Sequence, residues 1–591
     1  MENVFYGSGK IMKQFKSTSK MSEIKLRRFD TLDYLIFTTM LVLSALTGLY
    51  FARGGQKTIS SYLFGDKKLS LLPVSFSLVT TFVSGTFLLG VPTEIYLNGI
   101  QFIYSTFLSF FAIIFMVYLI IPVLYNLQLI SLFEYMELRF NRAVRLILSF
   151  VYILQGMMNI PIVIYGPTLA LNQVTGLNMQ IIPPLVCLVC ILYTTIGGLK
   201  AVVWTDTLQA IVILASVISV IILGLQRVGG VSQMIQIGLK GDRIEWLDMT
   251  LDPKIRITFW SLLFGSNFLT LSQYGTNPAA FQRYLSMPDL KKAQRSVFFL
   301  YFGMSFSLFL TAIIGLILYA AYRGCDPVST KEIKRADQLF PFFVMEISEN
   351  LKGVPGLFLA GIVGAALSTM STTINTITGT IYKDFLEPFV FPKTNDAKAS
   401  LIMKVTAVVI GIICTSSVFI VDKLGSIFEA TLILYNAIGG VITGIFLLGL
   451  FVPFANSYGA LTGATLATLV MGWISVGAFS AMSQRLVKSS TKTLSTELCT
   501  NATLLVKNAK KSAVSGDAVF PLYRISIFYY SLLGCSIVII VGIIVSLLTK
   551  KKSKKVDPAF LSPLVRNFVD FTKDNEAETV ILNTQEEYKN N

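Results

Sequence analysis

The chain has 591 residues, 53% of them hydrophobic and 14% charged, with 49 Lys and Arg against 33 Asp and Glu and a formal net charge of +16. No soluble fold of this length covers so much apolar surface, so the composition excludes a water-soluble enzyme or binding domain and predicts an all-α polytopic membrane protein. Histidine is absent and the six cysteines show no metal-ligand spacing, which removes the commonest metal ligand and the usual general base from any membrane-enzyme scheme.

Residues 1–30 are polar and Lys-rich without an apolar run, so they read as a tail, and no cleaved signal peptide is expected. Windows of about twenty apolar residues then fall at 31–52, 72–93, 101–124, 145–171, 178–197, 201–224, 257–278, 297–322, 355–382, 402–421, 427–453, 458–482 and 525–549. These are thirteen predicted spans of one membrane domain over 31–549, numbered here in order. Residues 550–591 are polar and mixed in charge and read as a cytoplasmic tail.

Short basic loops orient the chain. Arg53, Lys57, Lys67 and Lys68 follow span 1, and Arg139, Arg142 and Arg145 precede span 4. Arg283, Lys291, Lys292 and Arg295 follow span 7, and Lys383, Lys393 and Lys398 follow span 9. With alternating spans these loops share one side with the run Lys550–Lys555, which is therefore read as cytoplasmic; the N-terminal tail then falls outside. The longer loops 226–256, 323–354 and 483–524 lie opposite, the second carrying Cys325 and the last Cys499 and a sequon at Asn501. Positive charge held in tails and short loops faces anionic lipid rather than nucleic acid.

Two spans carry helix breakers. Span 2 reads SLVTTFVSGTFLLGVPTEIY, with Ser84-Gly85, Gly90 and Pro92 in one crossing, and Glu94 follows. Span 7 reads TFWSLLFGSNFLTLSQYG, with Gly265, Ser266 and Asn267 near its middle. Breakers release backbone groups that hydrocarbon cannot satisfy. Two such spans five elements apart suit inverted repeats that unwind at the membrane midplane around a binding site. Spans 2–6 (about 72–224) and 7–11 (about 257–453) would be those repeats.

Between the breaks, Asp206 opens span 6 with Gln209 on the same face, and an intramembrane acid facing the bundle is a functional candidate. Span 9 contains AALSTMSTTIN, in which Ala365, Ser368, Thr369 and Thr372 fall at i, i+3, i+4 and i+7 on one helix face. Such a stripe bridges helices or supplies hydroxyl oxygens to a small hard cation together with carbonyls freed at a helix break. A neutral oxygen cage suits Na+ better than a proton. Glu429 stands at the outer start of span 11.

The runs YTTIGGLKAVVWTDTLQ (193–209) and LSTMSTTIN (367–375), together with span 2, resemble the sodium/solute symporter family. VIYGPTLALNQVTG (163–176), TFWSLLFGSNFLTLSQYGTNPAAFQRYLS (258–286) and YRGCDP with ADQLFPFFVME (322–346) resemble its monocarboxylate, multivitamin and iodide branch. The resemblance implies an inverted five-plus-five-helix (LeuT-like) core and a sodium site between spans 2 and 9. Its ligands here would be the carbonyls of Val79, Phe82 and Ala365 and the hydroxyls of Ser368 and Thr369, with Asp206 and Gln209 supporting. The implied substrate cavity takes Phe87, Asn159, Trp260 and the stretch from Tyr435 and Asn436 to Gly440. Two positions depart from the branch: Phe87 stands where relatives carry a small or polar residue, and Asn159 replaces a tyrosine.

The function implied is Na+-coupled symport of a small organic anion, first a monocarboxylate, across the plasma membrane by alternating access, with Na+ as co-transported ion. A vitamin carboxylate such as biotin or pantothenate, or iodide, is the alternative substrate, and a non-transporting sodium sensor the alternative of another class. An enzyme is disfavoured for want of a nucleophile–base pair, and a channel because the breaks are paired rather than repeated as a filter.

Overall fold

The computed structural model describes residues 29–53, 58–392, 394–421, 427–484, 486, 491–497, 499, 519–549 and 556–566, and among them the secondary structure is helical with no strand. Most of both tails, Asn501 and Lys550–Lys555 lie outside the described residues.

The principal helices are α1 (Thr31–Ala52), α2 (Leu71–Phe82), α3 (Gly85–Asn98), the irregular α4 (Ile100–Asn126), α5 (Arg142–Thr175) and α6 (Ile182–Val228). They continue with α7 (Pro278–Leu285), α8 (Leu290–Tyr322), α9 (Val354–Thr380), α10 (Asp396–Val421), α11 (Ile427–Phe451), α12 (Ser457–Ser483) and α13 (Tyr530–Leu548). Among the described residues, ten helices are long and apolar enough to cross a membrane, or eleven if the bent pair α2–α3 is one span. Thirteen spans follow only if two further elements are counted. One is α6, whose 47 residues measure roughly 70 Å, about twice the apolar thickness of a bilayer. It breaks at Gly198, where φ is 54° and ψ −156°, a left-handed conformation that glycine alone adopts cheaply. The other is the segment 261–275.

That segment departs from expectation. It does not unwind as α2–α3 does but runs as π-helical turns at Ser261–Ser266 and Leu271–Gly275 around a short α-turn. Gly265 serves packing: a Cβ there would sit 2.1 Å from the Phe528 carbonyl at the head of the last span. Asn267 patches the uneven backbone of α4, accepting from the Ala112 amide (2.9 Å) and donating to the Leu108 carbonyl (2.9 Å). A side chain supplies there what lipid cannot.

At the centre stands α9, 94% of whose apolar window is buried, against 28% to 72% for the other long helices. Its start is fixed by α1, since Asp33 Oδ1 accepts from the amides of Gly353 (2.9 Å) and Gly356 (3.0 Å) and so caps α9 from another helix. Its far end is held by Asp384, which accepts from Arg145 Nε (2.9 Å) and Nη2 (2.5 Å), Ser149 (2.5 Å) and Ser131 (3.1 Å).

Three arginines counted above as loop charges therefore do other work. Arg145 is buried on Asp384; Arg139 is buried and donates to the carbonyls of Gly449, Val452, Pro453 and Ala455 that end α11; Arg283 is fully buried. On the opposite face a disulfide joins Cys325 to Cys499. Asp326 beside it accepts from the Tyr96 hydroxyl (2.7 Å) at the end of α3. Disulfides persist outside the reducing cytosol.

Candidate cation cage and adjoining cavity

The helix pair α2–α3 bends by 57°. The bend lies at Val83 (ψ 74°) and Ser84 (ψ 169°), and the Ser84 hydroxyl caps α3 by accepting from the Phe87 amide (3.2 Å). A helix that stops leaves its last four carbonyls without intrahelical partners; here they belong to Val79, Thr80, Thr81 and Phe82. Of these, the Val79 carbonyl still receives the Val83 amide at 2.8 Å, and among the described residues the other three meet no backbone amide.

The α9 stripe faces this end. Thr369 Oγ1 donates to the Thr81 carbonyl (2.9 Å) and lies 3.2 Å from the Ala365 carbonyl; Ser368 Oγ lies 3.1 Å from Thr80 Oγ1. Thr372 Oγ1 pairs with Thr81 Oγ1 at 3.2 Å. Ser368, Thr369 and Ala365 are buried and Val79 and Phe82 half-buried. The structure thus brings the expected segments together and adds Thr80 and Thr81, which the sequence reading passed over although they stand inside the run SLVTTF. The donor set fits Na+: neutral hydroxyl and carbonyl oxygens, each carbonyl with lone-pair capacity to spare.

Asp206 and Gln209 are completely buried beside the cage. Asp206 Oδ2 accepts from Ser77 (2.5 Å) on α2 and from Arg283 (3.0 Å) on α7, while Ser368 stands next to the same carboxylate. Asp206 Oδ1 has no partner among the described residues. Gln209 reaches Ser44 of α1 at 3.5 Å, and its Oε1 is likewise unpartnered. The buried ion pair was missed because its two members are 77 positions apart, and an arginine next to a span reads as a loop charge.

A cavity of about 170 Å³ adjoins the break. Its lining shares Thr81, Phe82 and Thr369 with the cage and adds Ser84, Thr86 and Phe87 from the first turn of α3, Asn159 and Tyr435, and an aromatic group including Phe102, Phe428 and Phe528. No charged side chain lines it among the described residues. Asn159 donates to the Tyr435 hydroxyl (2.8 Å), leaving that hydroxyl's own proton available, and Asn159 Oδ1 is unpartnered.

Of the residues expected to meet substrate, Phe87, Asn159 and Tyr435 line this cavity. Trp260 does not line the cavity: its indole donates to the Met249 carbonyl (3.1 Å) and its ring stacks on Phe264. Asn436 is also turned away, donating to the Ile527 carbonyl (3.0 Å) and accepting from Ser531 (3.1 Å), so it ties α11 to α13. Helical periodicity is the reason, since adjacent positions such as Tyr435 and Asn436 point about 100° apart. Outward of the aromatic group, Arg256 joins Glu94 (2.7 and 2.9 Å) to Glu429 (2.8 Å), linking α3 to α11.

The profile described as "Sodium:solute symporter family" matches residues 62–467. The chain is similar to sodium-coupled monocarboxylate transporter 2 of Mus musculus, at 34% identity over 553 residues, which are 93% of this chain and 89% of that protein. It is 34% identical to sodium-coupled monocarboxylate transporter 1 of Homo sapiens (92% of each chain). With the sodium-dependent multivitamin transporter of Oryctolagus cuniculus it shares 36% identity (89% of this chain, 84% of that protein). Among solved structures, the substrate-bound outward-open state of a Na+-coupled sialic acid symporter has the same fold. The TM-score is 0.72 at 22% identity, covering 89% of this chain and all of that one.

Proposed function

This chain belongs to the sodium:solute symporter family, a multi-pass membrane symporter coupled to Na+, and from that premise we propose that its substrate is a small monocarboxylate. The observation that carries this reading is the sharing of Thr81, Phe82 and Thr369 between the oxygen cage and a cavity without charged walls. An anion is costly to bury against uncharged walls. A sodium ion in the cage supplies the missing positive charge next door, and the N-terminus of α3 adds the positive end of a helix dipole. Each ligand then raises the other's affinity, and the coupling is reciprocal.

In this reading Val79, Phe82, Ala365, Ser368 and Thr369 hold Na+, with Asp206 and Gln209 supporting. Phe87, Asn159 and Tyr435 meet the substrate. The inverted repeats 72–224 and 257–453 move against one another in the plasma membrane, exposing the site first outside and then to the cytoplasm. Uptake of a radiolabelled carboxylate panel in transporter-null cells, with and without Na+, tests it. Saturable uptake of a monocarboxylate that disappears in Na+-free medium is the expected result; Na+-dependent uptake confined to biotin, pantothenate or iodide would reassign the substrate.

Phe87 bears on selectivity. Its ring adds apolar wall beside the cap of α3, and a short alkyl chain gains about 0.8 kcal/mol per CH₂ buried there. Phe87→Thr is expected to shift competition from butyrate toward acetate and lactate by several-fold, with the Na+ half-saturation little changed. An unaltered ranking of inhibitors would remove Phe87 from substrate recognition.

A further inference from the structure

Arg283 sits on α7, the short helix between the π-helical segment and α8, on the side that the basic loops mark as cytoplasmic. It is fully buried, and its guanidinium is shared among three transmembrane elements. Nε donates to Ser77 of α2 (2.8 Å), and Nη2 donates to Asp206 of α6 (3.0 Å) and to Thr372 of α9 (2.5 Å). Nη1 returns to the Ala279 carbonyl of its own helix (3.1 Å), which fixes the fork.

From this group the cage is two hydrogen bonds away. Thr372 pairs with Thr81, whose carbonyl receives Thr369. Below it, Gln282 of α7 accepts from Asn375 of α9 (3.2 Å), and Asn375 Oδ1 is buried without a partner. A series of buried polar side chains therefore runs from the cage through Thr372, Asp206 and Gln282 to Asn375, with the Arg283 guanidinium in its middle.

We propose that Arg283 is a positioning residue for the transport cycle: a tethered cation that closes the cytoplasmic side of the cage and must leave Asp206 before the transported ion can pass. One buried carboxylate carries a single negative charge, so an ion reaching its free Oδ1 beside Arg283 leaves a net positive charge that favours withdrawal of the guanidinium. Withdrawal of α7 would unfasten α2, α6 and α9 together, because one guanidinium holds all three. The proposal rests on the reading of the cage as the sodium site. It differs from that reading in placing the gate on a residue that is no ligand of the ion.

The test uses the full chain in membrane vesicles with Asn375→Cys as reporter, the four free cysteines of the described residues being buried. A membrane-impermeant thiol reagent is applied to the cytoplasmic face. In Arg283→Gln, modification is expected to accelerate about tenfold, as for a minor open state of about a tenth that becomes dominant. Arg283→Lys, which keeps the charge and loses the fork, should fall between. If Arg283→Gln leaves the membrane because Asp206 is uncompensated, the neutral pair Asp206→Asn with Arg283→Gln carries the same readout. Rates within about twofold of the parent in Arg283→Lys and in the neutral pair would overturn the gate, since a gating cation must shift the open population when it is altered. Failure of the sodium reading is seen separately, as an Na+ half-saturation indifferent to the cage hydroxyls.

Discussion

Replacing Ser368 and Thr369 together by alanine is expected to raise the Na+ half-saturation of uptake by about a hundredfold while the protein still reaches the cell surface. Both hydroxyls are buried at the α2 terminus, Ser368 against Thr80 Oγ1 and Thr369 against the Thr81 carbonyl. Each lost oxygen contact to a charged group costs about 1.5 kcal/mol, and every 1.4 kcal/mol is a factor of ten. Thr369→Ser keeps the oxygen and should stay near the parent, which separates loss of a ligand from loss of packing. Substrate uptake should fall with the ion, because Thr369 also lines the cavity. Sodium titrations of uptake decide the matter, and an unchanged half-saturation in the double variant would mean that the cage lies elsewhere.

The second large effect concerns stability. Asp384 is 1% exposed and holds Arg145 of α5 with two serine hydroxyls at the end of the central helix. Asp384→Ala leaves a buried guanidinium with one half-exposed partner, Glu137 at 2.7 Å, and the Lys383 carbonyl. Breaking such a pair costs about 3–5 kcal/mol, whereas replacing both members by apolar residues of similar volume is often close to neutral. The expected result is a drop of several degrees in the midpoint of heat inactivation in detergent. Asp384→Leu with Arg145→Met should recover most of it. If the single and double variants melt alike, the pair is not what anchors α9.

The span 2 break and the α9 stripe could both be read along the chain because their causes are local. Ser84-Gly85, with Gly90 and Pro92 following, gathers several breakers in one crossing, and hydroxyls at i, i+3 and i+4 share a face whatever stands opposite. Span 7 misled for the same reason: Gly265 reads as a breaker in isolation, and only the approach of the Phe528 carbonyl shows that it is there for space. Trp260 lies in a run that matches the family's pattern, yet its indole is taken up by the Met249 carbonyl, a contact that no spacing announces.

Composition and periodicity by themselves determined that this chain is a bundle of apolar helices with a break in span 2 and an oxygen stripe in span 9. Hydrophobic burial and backbone satisfaction act residue by residue along a helix, so they leave a periodic trace. The tertiary structure alone decided that Thr80 and Thr81 receive the stripe, that Cys325 pairs with Cys499, and that Arg283 is an internal counter-ion of Asp206 rather than a loop charge. Those are pairings between residues far apart in the chain. An electrostatic or hydrogen-bonded partner is chosen by distance in space, and distance in space is set only when the helices pack.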